Sequence, residues 1–271
     1  MIKTNNFRNC KISLKRIFKL RNFNSYILNL KSIFVYRNWF NDFIKNFILN
    51  ISTEYPAKVQ IRNSPQNIEV ILWNDLDRWT LNEIFCWECY KLKSKEGIVI
   101  LDLGGNIGLS AKYFLSKNKN SKVYIYEPNE ELNSKVRIQL KEFGKKRFYL
   151  EKKAIGIQNS KGFLKKGYHS RYSYMEISDS EKENLIPIVS LENAIKNCIN
   201  KFGRCDVLKI DIEGMGYLAL NTINIDFSVK PKNILIEEDF GKDLDLLWLK
   251  NNYISKRNLS GIDLYQLKTN C

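Results

Sequence analysis

Acidic residues close several apolar runs in this chain. The first follows "GIVIL" and reads Asp102-Leu-Gly104-Gly105-Asn106-Ile-Gly108. The second is Glu127-Pro128, after "KVYIY". The third is Asp211-Ile-Glu213-Gly214, after "DVLKI", and the fourth is Glu238 in "NILIEED". A carboxylate at the mouth of a buried strand attracts cations and accepts from hydroxyls, and it repels phosphate. Glycine beside it permits positive φ and lets a ligand approach backbone that a Cβ would shield. A helix beginning near Asn106 would add unpaired N–H groups.

The spacing here is DxGxxxG. It is neither the GxGxxG of dinucleotide sites nor the GK[ST] of a P-loop. The reading is therefore a ligand with an amino-acid end: Asp102 faces its amine, and N–H groups of Gly104, Gly105, Asn106 and Gly108 face its carboxylate. An acid ending the next strand is placed to accept ribose hydroxyls, which assigns Glu127, with Pro128 beside it. Such charge-assisted bonds contribute about 1.5–3 kcal/mol each. An amine site and a ribose site on one crevice describe S-adenosyl-L-methionine.

Asp211 and Glu213 point to one side if their strand continues that far. Three roles stay open for them: orienting the cofactor's amine, acting as general base for a hydroxyl, or capping the next helix. A base contributes typically ~10²–10⁴-fold. Positioning two reactants supplies roughly 7–11 kcal/mol, so geometry dominates. Asp211 takes the base or amine-orienting role, with Glu213 in support. The one histidine, His169, sits in "GYHSRYSYMEI" and reads as a surface residue. Its neighbours Tyr168, Arg171, Tyr172 and Tyr174 read as an acceptor wall or as a strand packed on the sheet. Cys86 and Cys89 form a lone CxxC with no second pair at zinc spacing, so packing cysteines are expected and no metal site.

The elements that must position these residues alternate. Strands are expected at "GIVILDL", "KVYIYEP", "RFYLE", "CDVLKIDIEG", "NILIEED" and "IDLYQL". Helices are expected at "NIGLSAKYFLS", "NEELNSKVRIQLKEF", "SLENAIKNCI", "YLALNTI" and "LDLLWLKNN". Strand–helix alternation requires crossovers, hence an α/β fold with a doubly wound, mainly parallel sheet. Upstream, "VQIR" and "IEVILW" flank "RNSPQN" as a hairpin. Helices are expected over 33–48 and 79–92 from apolar residues at helical spacing. The boundary falls near residue 55, giving a basic helical extension (1–55) and a ligand-binding domain (56–271).

The chain has 271 residues and a formal charge of +15. Residues 1–50 carry ten Lys/Arg against one acid, Asp42, so +9 lies there and +6 on the rest. That concentration invites contact with an acidic surface. No run approaches the ~20 apolar residues of a membrane span, and no cleavable leader is evident. The expected location is the cytoplasm, with residues 1–50 as the part that would touch the inner face of a membrane.

"VILDLGGNIGLSAKYFL", "VYIYEPNEEL", the "AIG" of 154–156, "IPIVSLENAI" and "DVLKIDIEG" resemble, in order and spacing, the FkbM-type methyltransferases, a branch of the class I S-adenosylmethionine-dependent enzymes. "RWTLNEIF" resembles that family's lead-in, and the resemblance spans about residues 70–240. It implies the class I, Rossmann-like fold, a place for Ala154 at the cofactor, and O-methyl transfer to sugars or to other glycan or polyketide hydroxyls. The family pattern continues "DIEGAE"; here "DIEGMG" puts Gly216 where an acid stands. The family's fifth strand ends in an acid and a histidine; here Glu237, Glu238 and Asp239 follow with no histidine, so either the chain has lost that pair or Glu238 substitutes.

The expected activity is S-adenosylmethionine-dependent O-methylation of a hydroxyl on a small molecule or glycan. The alternatives are an RNA methyltransferase, for which only the net charge speaks, and a methyltransferase-fold scaffold at a membrane.

Overall fold

The computed structural model describes residues 31–40, 53–63, 65–94, 96–166, 173–177, 185–212, 214–224, 227–237, 244, 246–259 and 261–268. Residues 1–30 and 41–52, Glu213, Glu238, His169, Tyr168, Arg171 and Tyr172 lie outside these. Two compact units divide the chain, Met1–Glu88 and Cys89–Cys271.

In the first unit, β1 (Ala57–Asn63) and β2 (Gln66–Leu72) form the expected hairpin. Val59, Ile61, Ile68, Val70 and Leu72 are buried, as period-two alternation requires. Helix α1 (Asp75–Leu81) starts before the Trp79 expected from periodicity. Asn74 accepts from the Asp77 amide and Asp77 bonds back to Asn74, a capping box hidden in the turn-like "WNDLD". A π-helical turn, Asn82–Cys86, ends the helix, and Glu88 is left-handed at φ +53. The expected helix over 79–92 is thus displaced toward the N-terminus. Of the helix expected over 33–48, residues 33–35 and 39–40 are helical, Tyr36 between them bridges to Ile61, and residues 41–48 lie outside the described residues.

The second unit contains the expected sheet. Its parallel strands are β3 (Val99–Leu103), β4 (Lys122–Tyr126), β5 (Phe148–Glu151), β10 (Val207–Ile210) and β11 (Asn233–Glu237). The antiparallel strands β12 (Tyr253–Leu259) and β13 (Ile262–Leu267) complete one edge, giving the order β12-β13-β11-β10-β3-β4-β5. The order reverses at β3, which pairs with β4 on one side and β10 on the other. Ligands of such sheets bind at that switch point, beyond the strands' carboxyl ends.

All five residues of β3 are buried, because helices cover both faces. Val99, Leu101 and Leu103 pack in one core with Leu191, Ala194, Ile195 and Cys198 of α4 (Leu191–Phe202). Ile100 and Asp102 face the other way, as alternation demands, and Asp102 meets Ser110 of α2 (Leu109–Lys117); α3 spans Glu130–Gln139. Two short helices, α5 (Gly216–Asn221) and α6 (Leu247–Asn252), add Tyr217, Leu220, Trp248 and Leu249 to the first core.

A second sheet was not expected from the sequence. Strands β6 (Ala154–Gly156), β7 (Ser160–Lys166), β8 (Ser173–Ile177) and β9 (Ile186–Ser190) pair in the order β6-β9-β7-β8. Strand β8 holds Tyr174, as the strand alternative for that segment had it. Among the described residues, no helix is long and apolar enough to cross a membrane.

Candidate active site

The glycine turn is built by steric necessity. Gly104 has φ +83, and a Cβ there would lie 1.9 Å from the Asp211 carbonyl oxygen. A Cβ on Gly105 would meet Ile125 at 2.4 Å. Both glycine amides donate to the Tyr126 carbonyl at 3.0 and 3.1 Å, which ties the turn to β4. Asn106 is left-handed at φ +46, a conformation asparagine tolerates better than most residues. Gly108, at φ +86, is the N-cap of α2, so this helix starts at Leu109 rather than near Asn106.

The Asn106 amide accordingly has another use. It donates to Glu127 Oε2 at 2.8 Å, while the Asn129 amide donates to Oε1 at 2.9 Å. Asn129 also caps α3 with its side chain, so the helix start and the carboxylate are fixed together. Glu127 is 5% exposed. Burial pushes its carboxyl up to about 7, against the pull of the two amides and of Lys209. Each oxygen accepts one amide and retains a lone pair for a ligand.

Glu127 faces a cavity of about 430 Å³ at the switch point. Gly104, Asn106, Glu127, Pro128, Ala154 and Asp211 are among its walls. Gly105 and Gly108 shape the turn from behind and are not among its walls. The second sheet and its β6–β7 turn add Ile155, Ile157, Gln158, Ser160, Leu164 and Ile188, with Lys153 preceding β6, and Tyr126, Asn129 and Leu132 also line it. Across from these stand Ile212, Met215 and Leu218.

Asp102 departs from its expected role. It is fully buried and is not among the cavity's walls. Its Oδ2 accepts from Ser110 Oγ at 2.6 Å, and its Oδ1 pairs with Lys209 Nζ at 2.9 Å. The reason is the alternation of β3: residue 102 points under α2, and the chain turns into the crevice only at Gly104.

Asp211, unlike Asp102, reaches the cavity. Strand β10 ends at Ile210, one residue before it. Its side chain is 30% exposed, and its Oδ2 pairs with Lys209 at 3.1 Å and accepts from the Tyr90 hydroxyl at 3.3 Å. Burial pushes its pKa up, but Lys209, a hydrogen bond with Glu237 and the Tyr90 hydroxyl outweigh that and hold it below the usual aspartate value. A carboxylate so stabilised is a weak base and a durable fixed charge. Glu213 and Glu238, the other candidate catalytic acids, lie outside the described residues.

Lys209 and Tyr90 escaped the sequence reading. A signal for Lys209 was present: a cation between Leu208 and Ile210 inside an apolar strand requires buried partners. Nothing local marked Tyr90. Cys86 and Cys89 are buried, and burial pushes the Cys86 thiol up to about 12. Among the described residues, no group of three metal-ligating side chains occurs.

Residues 102–253 match the methyltransferase FkbM domain. This protein belongs to the FkbM methyltransferase family. No curated protein matches its sequence. Among solved structures it is similar to a methyltransferase from Geobacter sulfurreducens, at 12% identity over 63% of this chain and 71% of that one, with a TM-score of 0.36. It is similar to TrmK of M. capricolum bound to S-adenosyl-homocysteine, at 15% identity over 70% and 69%, TM-score 0.40. A third is the pre-rRNA processing protein fibrillarin of Methanococcus jannaschii, at 12% identity over 81% and 86%, TM-score 0.45. The FkbM match contains the glycine turn, the second sheet and the three acids Asp102, Glu127 and Asp211, and it ends where β12 begins.

Proposed function

We propose that this FkbM methyltransferase takes its methyl group from S-adenosylmethionine and delivers it to a hydroxyl oxygen of a small molecule or glycan. One observation carries the donor: Glu127 and Asp211, from different strands, line one cavity beside a turn that admits no Cβ at Gly104. The residues present fit that group. Glu127, held open by two amides, would accept the ribose hydroxyls. Asp211, held charged by Lys209, would hold the amine. Ala154 and Ile155 would lie against the base.

The cofactor, when bound, supplies an activated methyl on a positive sulfur with a good leaving group. The protein's contribution is placement. A low-pKa Asp211 does little as a general base, so the described residues act by binding, orientation and exclusion of water, effects worth roughly 7–11 kcal/mol in favourable cases. Met215, Leu218, Ile157 and Leu164 give the cavity an apolar rim. Lys153, the cation among the cavity's described walls, is paired with Glu151. A polyanionic acceptor would want more cations than this, which favours an uncharged hydroxyl compound over RNA.

Incubation of the purified chain with S-adenosylmethionine and a cell-envelope glycan extract, followed by mass spectrometry, tests the reading. The expected result is a product heavier by one CH₂ group together with S-adenosylhomocysteine. Methylation of added RNA with none of the glycan fraction would overturn the acceptor class.

A further inference from the structure

Lys209 lies between buried neighbours in the middle of β10, and its own side chain is 2% exposed. A buried ammonium is costly unless paired. It pairs with Asp102 at 2.9 Å and Asp211 at 3.1 Å, and donates to the Gly104 carbonyl at 2.9 Å. The Tyr90 ring lies 5.7 Å from it, close enough for a cation–π contact. These partners belong to one place. Gly104 and Asp211 line the cavity, and Asp102, buried outside its walls, is joined to both through Lys209.

Two carboxylates that share one ammonium retain one net negative charge. Ser110 holds the second oxygen of Asp102, so that acid is spent in the interior. The remaining charge belongs to Asp211, which reaches the cavity. We propose that Lys209 is the positioning residue of the donor site, cancelling Asp102 and tying Asp211 to the glycine turn so that one fixed negative charge meets the amine of the ligand. The proposal rests on the S-adenosylmethionine reading. The groups facing Asp211 are Lys209 on β10, Asp102 on β3, Glu237 on β11 and the Tyr90 hydroxyl; Glu127, just past the end of β4, faces the same cavity.

Without the cation, Asp102 and Asp211 repel each other in a desolvated site, and one takes up a proton. Removing an adjacent opposite charge raises a carboxyl by about 1–3 pH units. A lysine that served only to hold the fold would cost stability and leave the pH dependence of binding unchanged.

The test is calorimetric titration of S-adenosylhomocysteine into the full chain, from about pH 5.5 to about 8. Lys209→Met weakens binding about tenfold or more at neutral pH. Its dissociation constant relative to wild type grows as pH falls, a ratio in which the titration of Glu127 cancels. Asp102→Asn also weakens binding, because Lys209 then neutralises Asp211. The double variant Asp102→Asn/Lys209→Met restores the charge count and returns to within about threefold of wild type. If Lys209→Met alone fails to fold, the gain in affinity from Asp102→Asn to the double variant still reads the effect. Lys112→Met removes a second buried lysine, held by the Gln139 carbonyl and Glu142, and lowers the melting temperature with affinity unchanged.

A pH-independent ratio for Lys209→Met, or a double variant no better than Asp102→Asn, overturns the proposal while the donor reading stands. Failure of the wild-type chain to bind S-adenosylhomocysteine overturns both.

Discussion

The two ends of the cavity hold carboxylates in opposite ways. Glu127 is held by the neutral amides of Asn106 and Asn129, and burial pushes it up to about 7. Asp211 is held by an ammonium and stays below its usual range. Amides orient a carboxylate without compensating its full charge in the interior, whereas a lysine does both. One end is therefore responsive to pH and suited to hydroxyls. The other is a permanent anion and suited to a cation.

The harshest way to break this contrast is to disrupt the turn between the two ends. Gly104→Ala forces a Cβ to within 1.9 Å of the Asp211 carbonyl oxygen at a positive φ. The expected cost is about 2–5 kcal/mol of stability, with binding of S-adenosylhomocysteine abolished. Thermal melting and calorimetry check both.

Glu127→Gln removes the charge at the responsive end. Affinity should fall by about 2 kcal/mol, roughly thirtyfold, if a charge-assisted bond to ribose is lost. Wild-type affinity should rise with pH through about 7 as the better acceptor forms, and the variant should be flat. The stability of the unliganded protein runs the other way. A carboxyl whose folded pKa is raised binds its proton more tightly in the native state. Its contribution is present below the unfolded value near 4.5 and is lost as pH rises through about 7. The melting temperature should therefore fall across that window more in wild type than in Glu127→Gln.

Ser110→Ala touches only the support behind the fixed anion. Losing the 2.6 Å bond to Asp102 should cost about 1–2 kcal/mol of stability and little affinity, measured by denaturant unfolding and titration. The smallest effect is expected from deleting residues 1–30. The described walls of the cavity lie between Gly104 and Leu218, so the dissociation constant should stay within about twofold. The same truncation, tested on acidic vesicles, reads whether the +7 of residues 1–30 supplies membrane contact.

How far each end was legible follows the same contrast. Glu127 could be read because a strand-ending acid before a helix cap is a local pattern. The glycine turn could be read because its spacing is local too. Asp102 was assigned the amine because sequence shows an acid at a strand end but not which face it takes. Its alternation with Leu101 and Leu103 decides that, and places it beneath α2 with Ser110. Lys209 and Tyr90 belong to a network whose members are up to 121 residues apart, and no local pattern joins them. The second sheet was missed because "SKGFLKK" lacks an apolar alternation and pairs across distant segments. In the first unit, the helix expected from Trp79 starts at Asp75, because Asn74 and Asp77 cap it.

The central claim is that the acids divide the ligand between them, and a crystal structure of the full chain with S-adenosylhomocysteine tests it most directly. The account predicts ribose hydroxyls on Glu127, the amino group on Asp211, and Asp102 still bound to Lys209 and Ser110. A ligand whose amine is held by Asp102, or whose ribose lies away from Glu127, would contradict it.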